Sequence, residues 1–500
     1  MRHVSGRWVI LLLLVGGEAP AAGNNGPPCR SFPWALTGSM STPRQNHVAT
    51  LLPSGKVLVA GGTVDGTAEL ATAELFDPAT GTWSPTGSMN VPRDSATLTL
   101  LPSGKVLVAG GFNQLEGVTR SAELYDPDTG QWSTTGGMVE RRVTHTATLL
   151  PSGKVLVVGG GGASDMPGLL ASAELYDPAT GEWQASGTMS IPRAFHTETL
   201  LASGEALVVA GFGAAAPTDS AETYEPASGT WIPTGSMLVS RWLHTATRLS
   251  SDAVLVAGGA VLRSDGSFPS DEAELYAPAT RSWRRTGSLF TAHAQHSATL
   301  LPSGRVLLVG GFDTRGILTN TELFDPESET WSDAGCTNVP RNLHTATLLG
   351  SGAVLVAGGA IGEHGATSSA EIYGILVSPT QVSLAPGASR TFSAAGGSGL
   401  GQVWSFLQNA SGATLTASGA YQAGPVGGVT DVIQVVDSFA NSSTATVNVV
   451  QPAATLSSTT PQAKSIGCNT SGGPELPGLG GAVLVLLGWR SRRVRRRLTG

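Results

Sequence analysis

The chain has 500 residues, a formal net charge of −7 and 13% charged residues. That balance excludes a protein that holds nucleic acid through a broadly basic surface. Three cysteines are too few for a disulfide-built scaffold.

Residues 1–21 read as a secretory signal peptide. Arg2 and Arg7 precede an apolar run from Val9 to Val15, and Ala19-Pro20-Ala21 supplies a small-residue cleavage site ending at Ala21. Cys29 lies well beyond any lipoprotein-type cleavage point, within a short lead at residues 22–31.

From residue 32 to 374 a unit of about fifty residues recurs seven times. Trp34, Trp83, Trp132, Trp183, Trp231, Trp283 and Trp331 mark it, at intervals of 49, 49, 51, 48, 52 and 48. Glycine pairs keep the same beat from Gly61-Gly62 to Gly358-Gly359, with Ala210-Gly211 the imperfect copy. A period of this length predicts four-stranded blades around an axis, an all-β propeller. In the first unit the predicted strands are His47–Leu52, Lys56–Ala60, Ala73–Phe76 and one starting at Trp83. Pro53-Ser54-Gly55 and Asp77-Pro78-Ala79-Thr80-Gly81 are the turns between them. The second strand is apolar on both faces, as a strand sandwiched between neighbouring blades must be. The last unit ends at Tyr373 without a tryptophan strand, while Trp34 opens the domain without a blade before it. The N-terminal strand is therefore expected to complete the seventh blade and remove the open edge.

The glycine pair, the Tyr or Phe about fifteen residues on and the Trp some seven residues later resemble the kelch repeat. The resemblance covers residues 32 to 373. It implies a seven-bladed kelch-type propeller and leaves function open, since kelch propellers include binding modules and a few enzymes.

Residues 375–450 lose the beat and show alternating strands at 381–384, 390–393, 402–406, 431–436 and 445–449. They predict a small β-sandwich resembling bacterial immunoglobulin-like spacer modules, with Trp404 as candidate core tryptophan. Residues 451–475 are a Ser, Thr, Gly and Pro-rich linker. Cys468, an apolar run from Pro477 to Trp489 and six arginines after it close the chain. The 476–500 segment is short for a membrane span but has the basic stop pattern. With Cys468 it resembles the C-terminal sorting signals of the MYXO-CTERM type, which implies processing of the tail and retention at the bacterial cell surface. Loss of the leader and the tail, with Glu475, would leave 21 basic and 34 acidic residues, which again disfavours an anionic polymer as partner. Strand alternation sets Cys29 and Cys336 on opposite faces, so no bridge between them is expected.

The loops after the glycine pairs vary freely from unit to unit and share one face, the usual place for a ligand in a repeat protein. On that face, before the inner strand of each unit, stand Arg44, Arg93, Arg142, Arg193, Arg241 and Arg341, with His293 in the sixth. Three residues on stand His47, His145, His196, His244, His296 and His344, with Ala96 in the second. They are candidate ligand residues. A residue present once per blade is first a packing residue, however, and a ring spreads imidazoles apart where a metal needs three or four together. Glu74, Glu123, Glu174, Glu222, Glu274, Glu322 and Glu371 recur with them and predict structural Arg–Glu pairs near the blade interfaces.

The enzyme closest to this domain plan is the galactose-oxidase-like copper radical family, whose site needs a Tyr–Cys cross-link, a second tyrosine and two histidines. Here Tyr125, Tyr176, Tyr224, Tyr276 and Tyr373 share one repeat position with Phe76 and Phe324, and the early units hold no cysteine. No cofactor or metal is expected. The reading is an exported, surface-retained, monomeric binding module that takes protein or glycan on its loop face. The alternative is an extracellular enzyme acting on carbohydrate or alcohol.

Overall fold

The computed structural model describes residues 34–162, 168–362, 365–396, 401–437 and 442–451. The leader with Ala21, Cys29, the linker, and the tail with Cys468 lie outside these residues.

The first blade is a meander of Val48–Leu51, Val57–Ala60, Ala73–Asp77 and Thr82–Thr86, hydrogen-bonded in that order from the axis outward. Five more sheets repeat the order. The seventh takes Thr345–Leu348, Val354–Ala357 and Ala370–Tyr373 from the end of the repeat and Trp34–Leu36 from its start. Inner strands of consecutive blades lie side by side in a closed cycle, the seventh against the first.

Packing follows from the sequence of the second strands. All four residues of Val57–Ala60 are buried, and so are their counterparts in every blade. Apolar faces of adjacent sheets thus meet in one core layer per interface, for example Val57, Val59 and Phe76 against Leu355 and Ile372. No blade buries both its faces alone.

The closing strand behaves as a normal outer strand. Trp34 pairs with Tyr373 in register, and their rings lie 5.3 Å apart, matching 5.1 Å for Phe76 and Trp83. Each outer strand also reaches the next blade: Gly87 N donates to Gly130 O at 2.9 Å, and Trp132 Nε1 to Gly87 O at 2.9 Å.

A contact of this kind also surrounds Cys336. Cys336 is buried at the end of the sixth outer strand, Thr330–Cys336, and is disulfide-bonded. The start of the closing strand lies beside this end. Trp34 Nε1 donates to Thr321 Oγ1 at 3.2 Å, and Thr321 Oγ1 donates to Gly335 O at 2.9 Å. The partner sulfur lies outside the described residues; the sequence offers Cys29 and Cys468.

After Gly374 the chain forms a β-sandwich. Gln381–Leu384, Ser442–Val449, Val429–Val436 and Val403–Gln408 make one sheet, with its first pair parallel. Smaller two- and three-stranded sheets complete it. Its centre is Phe392, Tyr421, Ile433 and Val447, with Trp404 only half-buried at the edge. Tyr421 takes the core place because its hydroxyl finds a buried partner, Asp431, which also accepts from Ser411 N at 2.8 Å.

Trp34→Ala should unzip the closing strand at a cost of about 3–5 kcal/mol, as for other buried tryptophans. The midpoint of urea unfolding would fall accordingly, and an unchanged midpoint would show that the ring does not depend on this strand.

Candidate functional site

The site candidates sit where the variable loops leave and rejoin each blade. In the first blade Arg44 is fully buried. Its Nη1 donates to Gly61 O at 2.8 Å and Thr72 O at 3.0 Å, the two ends of the variable loop. Its Nη2 pairs with Glu74 Oε1 at 3.0 Å. Glu74 in turn accepts the backbone N–H groups of Ser41 and Thr42 in the incoming link. One ion pair therefore ties the loop base, the third strand and the link together.

Arg93–Glu123, Arg142–Glu174, Arg193–Glu222, Arg241–Glu274 and Arg341–Glu371 repeat this arrangement, each arginine holding both loop ends. The pairs lie within a blade, not between blades. In the sixth blade His293 Nδ1 meets Gly310 O at 2.7 Å and Nε2 meets Glu322 Oε1 at 3.3 Å. It is buried like the arginines.

The histidines form a second ring. His47 Nε2 hydrogen-bonds Thr345 Oγ1 of the preceding blade at 2.9 Å, and His145, His196, His244, His296 and His344 bond Thr97, Thr146, Thr197, Thr245 and Ser297. The missing link is doubly missing. Ala96 replaces a histidine, and the residue that would have partnered it is Val48, so no polar group is left stranded.

The same rings explain the glycine pairs. At Gly358, with φ +63°, a Cβ would lie 2.7 Å from His47 Cε1 and 2.5 Å from Arg44 O. Burial, with the neighbouring arginine, lowers the histidine pKa values, to about 3 for His145, His244 and His344. Neutral imidazoles spread one per blade bring no three ligands to a point; among the described residues no group of three His, Cys, Asp or Glu could hold a metal ion.

The repeat tyrosines are tied between blades as well. Tyr125 and Tyr176 hydroxyls hydrogen-bond Thr86 and Thr135 of the preceding blades at 2.8 and 2.9 Å. Where phenylalanine stands, Thr37 and Thr286 keep only the bond to the carbonyls of Gly81 and Glu329, which Thr86 and Thr135 also make to Gly130 and Gly181. The hydroxyl thus has a bridging role that the Tyr/Phe exchange concealed.

Sequence reasoning passed over Glu198. It lies on the inner strand Thr197–Leu200, where the other blades carry Ala49, Leu98, Ala147, Ala246, Ala298 and Ala346. Both its carboxyl oxygens are shielded, with no partner beyond the hydroxyls of Thr146 and Thr148. Thr146 and Thr148 face it and lower its pKa slightly, but burial dominates and pushes it up to about 8. A copy-by-copy comparison of the inner strands was the signal that could have found it.

On the loop face each incoming link pairs with the loop of its blade through a single bridge, such as Gln45 with Thr63 and Trp242 with Ala260. Small hairpins rise from blades two, five and six, at Phe112–Val118, Ala260–Pro269 and Phe312–Ile317. Leu115, 91% exposed, caps the first, and Phe290, 71% exposed, lies on the link into the sixth blade.

With this geometry in view, residues 47–90 and 102–138 match the Kelch motif. The fold is a kelch-type propeller. Among solved structures the chain is similar to a fungal alcohol oxidase of the AA5 family in complex with copper. That likeness has a TM-score of 0.58 and 14% identity over 84% of this chain and 100% of that one. It is also similar to YjhT, with a TM-score of 0.47 and 16% identity over 59% of this chain and 98% of that one. At such identities the likeness shows the fold alone. No curated protein matches the sequence.

Two stability trends follow. Imidazoles whose pKa falls from 6.5 to about 3 on folding bind fewer protons in the folded state, so the fold should lose stability as pH drops below 6.5. Glu198 acts oppositely: its pKa rises from 4.5 to about 8, so its destabilising effect grows across that window as pH rises. Glu198→Ala should raise the melting temperature, with an increment that widens between pH 5 and 8. A pH-independent increment would show that Glu198 is paired. A second expectation concerns the loop clamp. Arg93→Met leaves Glu123 buried without its cation and should cost about 3–5 kcal/mol, measured by urea unfolding.

Proposed function

We propose that the protein is an exported, non-enzymatic binding module, held at the cell surface by its C-terminal tail, which takes a protein or glycan on the loop face of its propeller. The observation that carries this reading is the use of the repeated ionisable groups. Six arginines, their glutamates and five of the six ring histidines are buried, and all are spent on holding loops and blades. Chemistry is therefore left to the residues that differ between copies, and these lie in the loops and links of one face. Exposed Leu115, Val139, Leu238, Leu262 and Phe290 in those segments suit contact with a protein surface. Export and retention rest on the leader pattern ending at Ala21 and on the Cys468-to-arginine tail.

The likeness to a copper-bound alcohol oxidase supports a rival reading, an extracellular oxidase, through the fold alone. The two separate cleanly. Cell fractionation with mass spectrometry of the mature termini should find the chain in the envelope, cut after Ala21 and near Cys468. A cytosolic, full-length chain would refute the export reading. Copper loading with peroxide release from primary alcohols would establish the oxidase instead.

A further inference from the structure

Seven copies of one unit supply internal controls for every position, so residues that depart from the pattern together stand out. Three departures converge on one cleft. A cavity of about 310 Å³ opens on the rim where the variable loop, the outer strand and the outgoing link of blade two meet. Thr119, Arg120, Ser121, Thr134, Gly137 and Arg141 contribute to its lining. At the position of Arg120 the other blades carry Ala71, Ala171, Asp219, Asp271, Thr319 and Ser368, never a cation. At the position of Arg141 four blades carry proline, as at Pro43 and Pro192. At the position of Gly137 every other blade has a side chain, serine in four of them, as at Ser88 and Ser236.

The electrostatics favour an anion. Arg141 Nη1 donates to Glu116 O at 3.2 Å and Val118 O at 2.9 Å, which holds its guanidinium against the loop without using a carboxylate. The nearby acids are taken elsewhere: Glu123 by Arg93, and Glu140 and Glu174 by Arg142. Glu116 is the one carboxylate in the lining, against two arginines. Gly137 lines the cleft without a side chain, and a Cβ there would press to 3.2 Å from Arg120 O. Thr134 adds a hydroxyl to the lining, while the hydroxyls of Thr119 and Ser121 bond each other and Arg93 and hold the wall in place. The volume sits at the lower end of the roughly 300–1,000 Å³ of small-molecule sites, room for one ring-sized ligand.

We infer that this cleft binds the carboxylate of a small polyhydroxylated acid, about one acidic sugar unit in size, with Arg120 and Arg141 as its anion-binding pair. Guanidinium forks match a carboxylate with two parallel hydrogen bonds, and the Thr134 hydroxyl matches one of the ligand's own. The inference rests on the binding-module reading and names a ligand class for part of its loop face.

Calorimetric titration of the secreted chain with galacturonate tests it, with galactose and sulfate as comparison ligands. Galacturonate should bind at least tenfold more tightly than either. Arg120→Ala should lose that binding at least tenfold. Gly137→Ser, which restores the residue of four other blades, should do the same by filling the cleft while leaving the melting temperature unchanged. No galacturonate binding, equal affinity for galactose or sulfate, or unchanged affinity in both variants overturns the proposal. A failure here alongside a ligand bound elsewhere on the loop face would remove this site and leave the binding-module reading intact.

Discussion

The structure depends on the buried arginine at the base of six of the seven variable loops, a place that His293 takes in the sixth blade. A guanidinium removed from water is costly unless its donors are met, and here the repeat supplies acceptors for both terminal nitrogens in fixed places, two loop-end carbonyls and one glutamate, while Nε of Arg44 and Arg341 goes without. Closing the loop with Arg44 between Gly61 O and Thr72 O makes the loop's ends independent of what lies between them. The loops can then differ in length and sequence without disturbing the blade, because the entropy of loop closure is offset at the base. A binding face that varies on a scaffold that does not is the direct consequence.

The second constraint runs around the ring. All six ring histidines bond the inner-strand hydroxyl of the preceding blade, and five of them lie on that blade's first glycine, as His145 does with Thr97 and Gly110; before His244 the place is held by Ala210. A side chain at the glycine would collide with the imidazole, and a lost hydroxyl would strand it. The joint change to Val48 and Ala96 shows the rule from its exception: both partners leave together, and the interface becomes apolar. Ala210 shows its tolerance, holding φ near +55° without glycine. Blade packing, backbone conformation and the imidazole charge state are thus one coupled arrangement.

Function is sought where this arrangement is broken without compensation. Glu198 occupies a place that the other blades fill with alanine or leucine, and the hydroxyls of Thr146 and Thr148 do not offset its burial. Arg120, Gly137 and Arg141 depart from the repeat within one cleft. Departures of this kind carry more information than the repeated histidines and arginines, whose periodicity already marked them as structural.

Periodicity alone determined the number of blades, the strand order, the closing role of Trp34 and the face on which the loops lie. These follow from local rules, because turn residues and alternating hydrophobicity act over a few positions and the beat repeats them seven times. Strand predictions in the sandwich held at 381–384 and 431–436 for the same reason, while its core aromatic did not: Tyr421 displaced Trp404 through a contact with Asp431, which no spacing reveals. Only the tertiary structure decided that the arginines clamp loops within a blade, that tyrosine hydroxyls bridge blades, and that Cys336 is bonded. The first depends on how the link and the variable loop fold back over their own blade, and the tyrosine bridges on how neighbouring sheets pack across the ring, neither of which the order of residues along the chain contains.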